Sequence, residues 1–215
     1  MTAPTHDPQP ADPPWLMIGR ELRAIAQIGL AFSQEPFDRQ RYERIRELAA
    51  ALIAQRSGLD SGFTLDYFRR ETGYATPKVD VRAAAFLEGK VLLVKEISDG
   101  AWTLPGGWAD VNQSAAECVV REVAEESGYR VRAVKLAAVY DYRKRNQPQH
   151  LDSIYKMFFI CELVGGSASA SIETSETGFF PRDALPPLSV GRTTAQQIAR
   201  MFEHVERPDL PADFD

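Results

Sequence analysis

Gly107-Trp-Ala-Asp-Val-Asn-Gln-Ser-Ala-Ala-Glu-Cys-Val-Val-Arg-Glu-Val-Ala-Glu-Glu-Ser-Gly-Tyr129 places a glycine turn, an acidic helix and a second glycine at set distances. Ser114 followed by Glu117 has the form of a capping box, and Gly128 supplies a left-handed stop, so the spacing predicts one helix of about four turns. Glu122 and Glu126 fall about 40° apart on that helix, with Glu125 inside the same arc of roughly 100°. Ala116, Val120, Val123 and Ala124 lie opposite, with Val119 at their edge, which predicts an apolar side that packs and an acidic side that is exposed. Like charges so spaced destabilise a bare helix by a few tenths of a kcal/mol per pair, so a cation among them is the simplest reason for the pattern. Arg121, one turn after Glu117 and one before Glu125, reads as a strut for the carboxylates rather than a ligand. Cys118 falls one turn before Glu122 on the acidic face, a small space-filler with no histidine placed to activate it.

Gly107, Arg121, Glu122, Val123, Glu125, Glu126 and Gly128 match the box of the Nudix hydrolase family, which the segment resembles on these residues. Gln113 departs from the box, standing where the family has its first glutamate, and Tyr129 stands where it has an aliphatic residue. Glutamine keeps the acceptor oxygen and the length of glutamate without its charge, so it can hold the loop but is a poor metal ligand. The resemblance implies an α/β fold, the Nudix α/β/α sandwich. It also implies attack of water on a phosphorus of a nucleoside diphosphate linked to another group X. Mg²⁺, with Mn²⁺ as a substitute, would offset the charge on the diphosphate. The implied ligands are Glu122, Glu126 and the backbone carbonyl of Gly106, with Glu125 as a fourth; Glu122, Glu125 and Arg121 carry the implied catalytic roles. Some members add a carboxylate beyond the box as a ligand or base, and Glu173, ahead of Glu176, is the candidate here. Zinc is disfavoured, because His6, His150 and His204 are the only histidines and no Cys/His spacing suggests a site.

A chain of 215 residues with 44% hydrophobic content has room for a full core and an extra module, and its net charge of −5 gives no basis for broad nucleic-acid binding. No run approaches the ~18 apolar residues of a membrane span. Cys118 and Cys161 make no disulfide framework and are expected as free thiols in a reducing cytoplasm.

Residues 1–14, rich in proline and polar groups, read as a disordered tail. From Trp15, Leu22, Ile25, Ala26, Ile28, Gly29 and Leu30 recur at helical spacing, and Pro36 opens a second stripe of Tyr42, Ile45, Leu48, Ala49, Leu52 and Ile53. Residues 15–57 therefore read as a helical hairpin module and 58–78 as a linker with a short helix near Leu65 to Glu71. Residues 79–207 read as the catalytic domain and 208–215 as a C-terminal tail. Strands are expected at Val79 to Leu87, Lys90 to Glu96, Val131 to Tyr142 and Ile154 to Leu163, with a closing helix from about Thr193 to Val205.

The hairpin, with Leu104-Pro-Gly-Gly-Trp-Ala-Asp110 and Tyr140-Asp-Tyr-Arg-Lys-Arg-Asn146, is similar to the Nudix subfamily with a helical N-terminal domain. That subfamily acts on X-linked nucleoside diphosphates, with CDP-choline and ADP-ribose pyrophosphatases among its members. A homodimer through the helical module is implied. A (d)NTP pyrophosphohydrolase and a non-catalytic nucleotide sensor are the alternatives. Candidate substrate contacts are Arg82, Trp108, Tyr142, Arg143 and Lys144, with Tyr140, Arg145, Lys95 and Trp102 beside them and a loop from Asn146 to Asp152.

Overall fold

The computed structural model describes residues 12–145 and 150–215, and the chain divides into two compact units. One is helical. Proline at the first turn, where its missing N–H has no partner to lose, opens both α1 (Pro14–Phe32) and α2 (Pro36–Ser57). The Glu35 carboxylate caps α2 by accepting from the Asp38 N–H at 2.8 Å. The third helix, α3 (Ser61–Arg70), starts earlier than expected because Asp60 caps it, 2.8 Å from the Phe63 N–H, and Gly62 falls in its first turn where a glycine costs little. Leu16, Ala49, Ala50, Ile53 and Phe68 form the core of this unit, with Leu151 against them. Residues 150–153 belong to this unit. Asp152 accepts from Arg23 at 2.7 Å, and Arg23 stacks over the ring of Phe68 at 4.6 Å. The expected disordered tail falls mostly outside the described residues, but Asp12 is buried against Arg20.

The other unit is a mixed sheet with a helix on each face. Its elements are β1 (Lys78–Leu87), β2 (Lys90–Glu96), β3 (Trp102–Thr103), α4 (Ala115–Ser127), β4 (Tyr129–Asp141), α5 (Tyr142–Arg145), β5 (Ile154–Gly166), β6 (Thr174–Phe180), α6 (Ala195–Glu206) and β7 (Asp213–Phe214). Strand order is β3-β2-β1-β5-β4-β7, and β6 pairs with β2. Alternation along β1 splits its side chains between two cores. Val81, Ala83 and Ala85 pack with Cys118, Val119 and Val123 of α4, whereas Ala84 packs with Ile198, Met201 and Phe202 of α6. Tyr142, expected to end a strand, instead starts the short α5. The C-terminal residues, expected as a tail, return as β7 beside β4, held where Asp213 accepts from the Tyr140 hydroxyl at 3.0 Å and from Arg200 at 2.7 Å. Among the described residues no helix is long and apolar enough to cross a membrane.

One irregularity positions the site. β1 and β2 pair only at Phe86–Val91 and Leu87–Lys90. Toward the start of β1 they diverge, and the loop before α4 takes the vacated backbone positions: the Ala83 N–H donates to Pro105 O at 2.8 Å, the Val81 N–H to Gly107 O at 2.8 Å and the Ala109 N–H to Val79 O at 2.9 Å. Gly106 makes this approach at φ 140°, where a Cβ would stand 1.9 Å from the Val81 carbonyl oxygen, so no other residue fits.

Candidate active site

The predicted signals set both ends of α4. Ser114 and Glu117 form the complete capping box, and Gly128 closes the helix at φ 74°. Its rotation differs from the expectation. Cys118, Val119, Val123, Glu126 and Ser127 are the buried positions, while Ala124 is exposed. The acidic side is thus turned partly inward, toward the Gly106–Gly107 turn. Cys118 lies in the core, accepting from the Asp110 N–H at 3.3 Å.

Glu126 is only 5% exposed. Its Oε2 accepts from the Gly106 N–H at 2.8 Å. Burial pushes its carboxyl from an ordinary 4.5 up to about 8, against the opposing pull of Arg82 and the Gly106 N–H. The Glu122 carboxylate lies against the same turn, 3.3 Å from where a Gly107 Cβ would be. Burial raises its pKa as well, with Arg121 opposing. Glu125 goes the other way: its side chain is 57% exposed and sits on Arg121 at 2.7 Å. The three carboxylates expected on one face are therefore two at the turn and one outside. Among the described residues no three acidic, histidine or cysteine side chains are grouped so as to hold one ion. Repulsion between like charges, with Arg121 drawing Glu125 outward, accounts for the spread. Two carboxylates at the glycine turn still fit a hard divalent cation, and among the described residues no cationic side chain forms an ion pair with the buried Glu126.

Arg121 is a clamp. Its guanidinium reaches Glu125 at 2.7 Å, Asp110 at 2.8 Å, Glu122 at 2.9 Å and the Gln113 amide oxygen at 3.2 Å. Gln113 thus ties the loop to the helix as an acceptor, the use left to it by the loss of charge.

Beneath the turn lies a charged network that sequence reasoning did not assemble. Arg82 donates to both oxygens of Asp80, at 3.0 and 2.7 Å, and to the Leu104 carbonyl at 3.2 Å. Lys156, fully buried on β5, reaches Asp80 at 2.8 Å, and burial pushes its ammonium down to about 8. The parallel pairing of Asp80 with Lys156 across β1 and β5 brings them together. Arg82, expected to meet substrate, is instead buried as a brace, because its donors turn to Asp80 and the loop.

Thr174 fixes the loop beyond the box, its hydroxyl donating to the Glu126 carbonyl at 2.5 Å. Next to it, the Glu173 carbonyl accepts from the Ile97 N–H at 2.9 Å, and its carboxylate is near enough to Glu96 to raise the Glu96 pKa, behind the larger effect of burial. Glu176 lies on β6 and pairs with Lys95 at 2.7 Å. The buried Glu96, on the same face of β2 as Leu92 and Val94 by simple alternation and held by Arg192 at 3.1 Å, is a site residue that the sequence reading missed at the end of an expected strand.

The expected substrate contacts divide. Trp108 is 47% exposed beside the turn, with the Lys78 ammonium 5.9 Å from its ring. Trp102 braces Phe180 edge-on at 4.7 Å. Tyr142 is buried, its ring 6.0 Å from the Lys156 ammonium, and Tyr140 is buried with its hydroxyl on Asp213. Neither aromatic face is open to a base as expected: Tyr140 packs in the core with Phe158 and the α6 residues, and Tyr142 is buried at the start of α5. Arg143 folds back on Asp141 at 3.0 Å, Lys144 is exposed, and Arg145 stacks on Tyr140 at 4.5 Å. Residues 146–149 of the expected loop lie outside the described residues.

The NUDIX domain model matches residues 76–202, and a UDP-X-like, N-terminal oligomerisation domain matches residues 13–63. The putative ADP-ribose pyrophosphatase YjhB of Bacillus subtilis is 43% identical over 94% of this chain and 97% of its own length. The crystal structure of an ADP-ribose pyrophosphatase from Streptococcus suis is 45% identical over 65% of this chain and 100% of that one, with a TM-score of 0.61. That of a UDP-X diphosphatase is 33% identical over 94% of this chain and 98% of that one, also with a TM-score of 0.61. With the box on α4 and the glycine turn it faces, these matches show that the chain belongs to the Nudix hydrolase family, as a pyrophosphatase with a UDP-X-like N-terminal domain.

Proposed function

We propose that this protein is a Mg²⁺-dependent pyrophosphohydrolase that splits a nucleoside diphosphate linked to X into a nucleoside monophosphate and phospho-X. ADP-ribose leads the substrates and CDP-choline follows. The observation that carries the reading is Glu126, buried at the glycine turn beside Glu122 with its carboxyl pushed up to about 8. A carboxylate so placed is costly unless a cation joins it. The names of the B. subtilis and S. suis relatives favour ADP-ribose. Bound Mg²⁺ would neutralise diphosphate oxygens and make the attacking water more acidic.

The chain's residues divide the remaining work. Glu122 and Glu126, with Gly106, hold the cation, and Glu125 is the outer carboxylate available to it. Arg121 keeps the glutamates and Gln113 in register. Glu173, anchored through Thr174, is the candidate base, able to take a proton from water. Trp108 offers a half-exposed face to a base or ribose, and Lys144 and Arg143 offer cations to phosphate. Two copies associate through the helical unit, as its match to an oligomerisation domain favours.

The test is product formation from ADP-ribose, CDP-choline, UDP-sugars and (d)NTPs, with Mg²⁺ and with the metal chelated. Monophosphate and phospho-X from an X-linked diphosphate, only with metal, is expected. Pyrophosphate release from a (d)NTP as the preferred reaction would overturn the substrate class.

A further inference from the structure

The Arg121 guanidinium is ringed by three carboxylates and one amide, those of Asp110, Glu122, Glu125 and Gln113. The amide stands at the box position where the charge of a glutamate is missing, and Asp110 comes from a position that the box leaves open. A turn at Val111 and Asn112, with Asn112 in the left-handed region at φ 64°, folds both side chains onto the same guanidinium. Asp110 Oδ2 lies 2.8 Å from Nη2, and the Gln113 amide oxygen 3.2 Å from Nε. The same Nη2 is 2.9 Å from Glu122 Oε1, so one nitrogen bridges Asp110 to Glu122.

Asp110 is also anchored at its backbone. Its N–H donates to Sγ of the fully buried Cys118 at 3.3 Å, and the Ala109 N–H before it donates to Val79 O of β1 at 2.9 Å. The carboxylate thus stands on a fixed stretch of chain, although its side chain is 62% exposed. An exposed pair contributes little stability, so its use lies in direction. Glu125 draws the guanidinium outward, and a charged acceptor on the turn opposes that pull more strongly than the neutral Gln113 can.

We propose that Asp110 is a positioning residue whose carboxylate supplies the negative charge that Gln113 lacks, holding Arg121 at Glu122 against the outward pull of Glu125. Its effect on turnover rests on the role proposed above for Glu122; its hold on the loop does not.

The test compares Asp110→Asn, Gln113→Glu and the double variant with the natural chain. Asparagine keeps the acceptor oxygen and the shape of aspartate, so the comparison isolates charge. Hydrogen exchange of the full chain in EDTA is read at the amides of positions 109 and 110, which are held on Val79 and Cys118. Asp110→Asn should speed both about twofold to fivefold, in the range for loss of an exposed pair. With Mg²⁺, kcat on the panel substrate that the natural protein hydrolyses should fall about tenfold in Asp110→Asn, with KM within about threefold. Gln113→Glu added to Asp110→Asn should reverse both changes, returning exchange to the natural rate and kcat to within about threefold of it. A side chain that only filled space would not be rescued by a carboxylate three positions away. Either readout unchanged in Asp110→Asn, or a change in either that Gln113→Glu leaves in place, would overturn the proposal. If the natural protein hydrolyses nothing in the panel, the proposed function fails and exchange alone decides the role of Asp110.

Discussion

Removing the metal should couple stability and affinity to pH through Glu126. Its carboxyl is pushed from 4.5 to about 8 in the folded chain, chiefly by burial, so between those values the fold holds a proton that the unfolded chain has released. The sign follows directly. In the metal-free protein, stability is undiminished by this group below pH 4.5, falls as pH rises, and has lost its full share above about 8. A shift of that size corresponds to at most about 5 kcal/mol. A cation that binds the ionised carboxylate must displace the proton, so its apparent affinity should fall about tenfold for each pH unit below 8, or about a hundredfold at pH 6. Glu122, raised in the same direction by its own burial, would steepen the fall at lower pH. The assay is Mg²⁺ titration followed by thermal unfolding and calorimetry at pH 6, 7, 8 and 9, beside Glu126→Gln. The natural protein should show the slope below 8 and a plateau above it, and the variant should lose that contribution. Metal affinity independent of pH, or the same slope in the variant, would refute the assignment of Glu126 as the buried ligand.

Four further outcomes can be checked. Arg121→Met should lower kcat/KM by about a hundredfold or more, because the clamp on the metal carboxylates is lost, while the melting temperature moves little for a side chain at the surface; unchanged turnover would remove Arg121 from the machinery. Gln113→Glu, which gives Arg121 one more carboxylate, should change activity by less than about tenfold; a rise of several orders of magnitude would mean the natural chain is not primarily an enzyme. Glu173→Gln should lower kcat by about a hundredfold or more, as for loss of a general base, whereas Glu176→Gln, which breaks only the pair with Lys95, should stay within about twofold; equal effects would remove the distinction between them. Phe32 and Phe37, 66% and 68% exposed on the helical unit, are expected at the contact between copies. Arg in place of both should shift a dimer to monomer in light scattering without lowering the melting temperature, and a natural protein that is monomeric at tens of micromolar would overturn the association.

Local signals were legible in the sequence wherever neighbouring residues decide the structure. Ser114, Glu117 and Gly128 mark both ends of α4 through hydrogen bonds inside one helix, and alternation along β1 marks a strand with two packed faces. The rotation of α4 was not legible. A helical wheel shows which residues share a face but not what that face meets, and here the acidic edge meets a glycine turn that replaces β2 beside β1. Lys156 and Asp80 are 76 positions apart and Thr174 and Glu126 are 48 apart, so strand order alone creates those contacts. Without an extended β6 and the return of β7, nothing in the local pattern separates Glu173 from Glu176 or turns Tyr140 inward.

The buried charges also explain why the box is built around so costly a residue. Arg82 and Lys156 are two cations on one carboxylate, Asp80, and Arg82 faces Glu126 as well. Burial disfavours every ionised group there, raising Glu126 and lowering Lys156 toward the same value of about 8. Without metal, the cheapest arrangement near neutral pH keeps a proton on Glu126 and leaves its carboxyl on the Gly106 N–H. A divalent cation bound there, as proposed, would reverse that balance, because it would supply the charge that burial denied. Removing Arg82 would leave Asp80 to Lys156 alone and take away the counter-charge nearest Glu126, whereas an exposed glutamate such as Glu125 needs no such support. In the proposed site, placing the carboxylate in the wedge between β1 and β2 would make its ionisation depend on a bound cation, and that dependence would tie metal binding to a fixed geometry at the glycine turn.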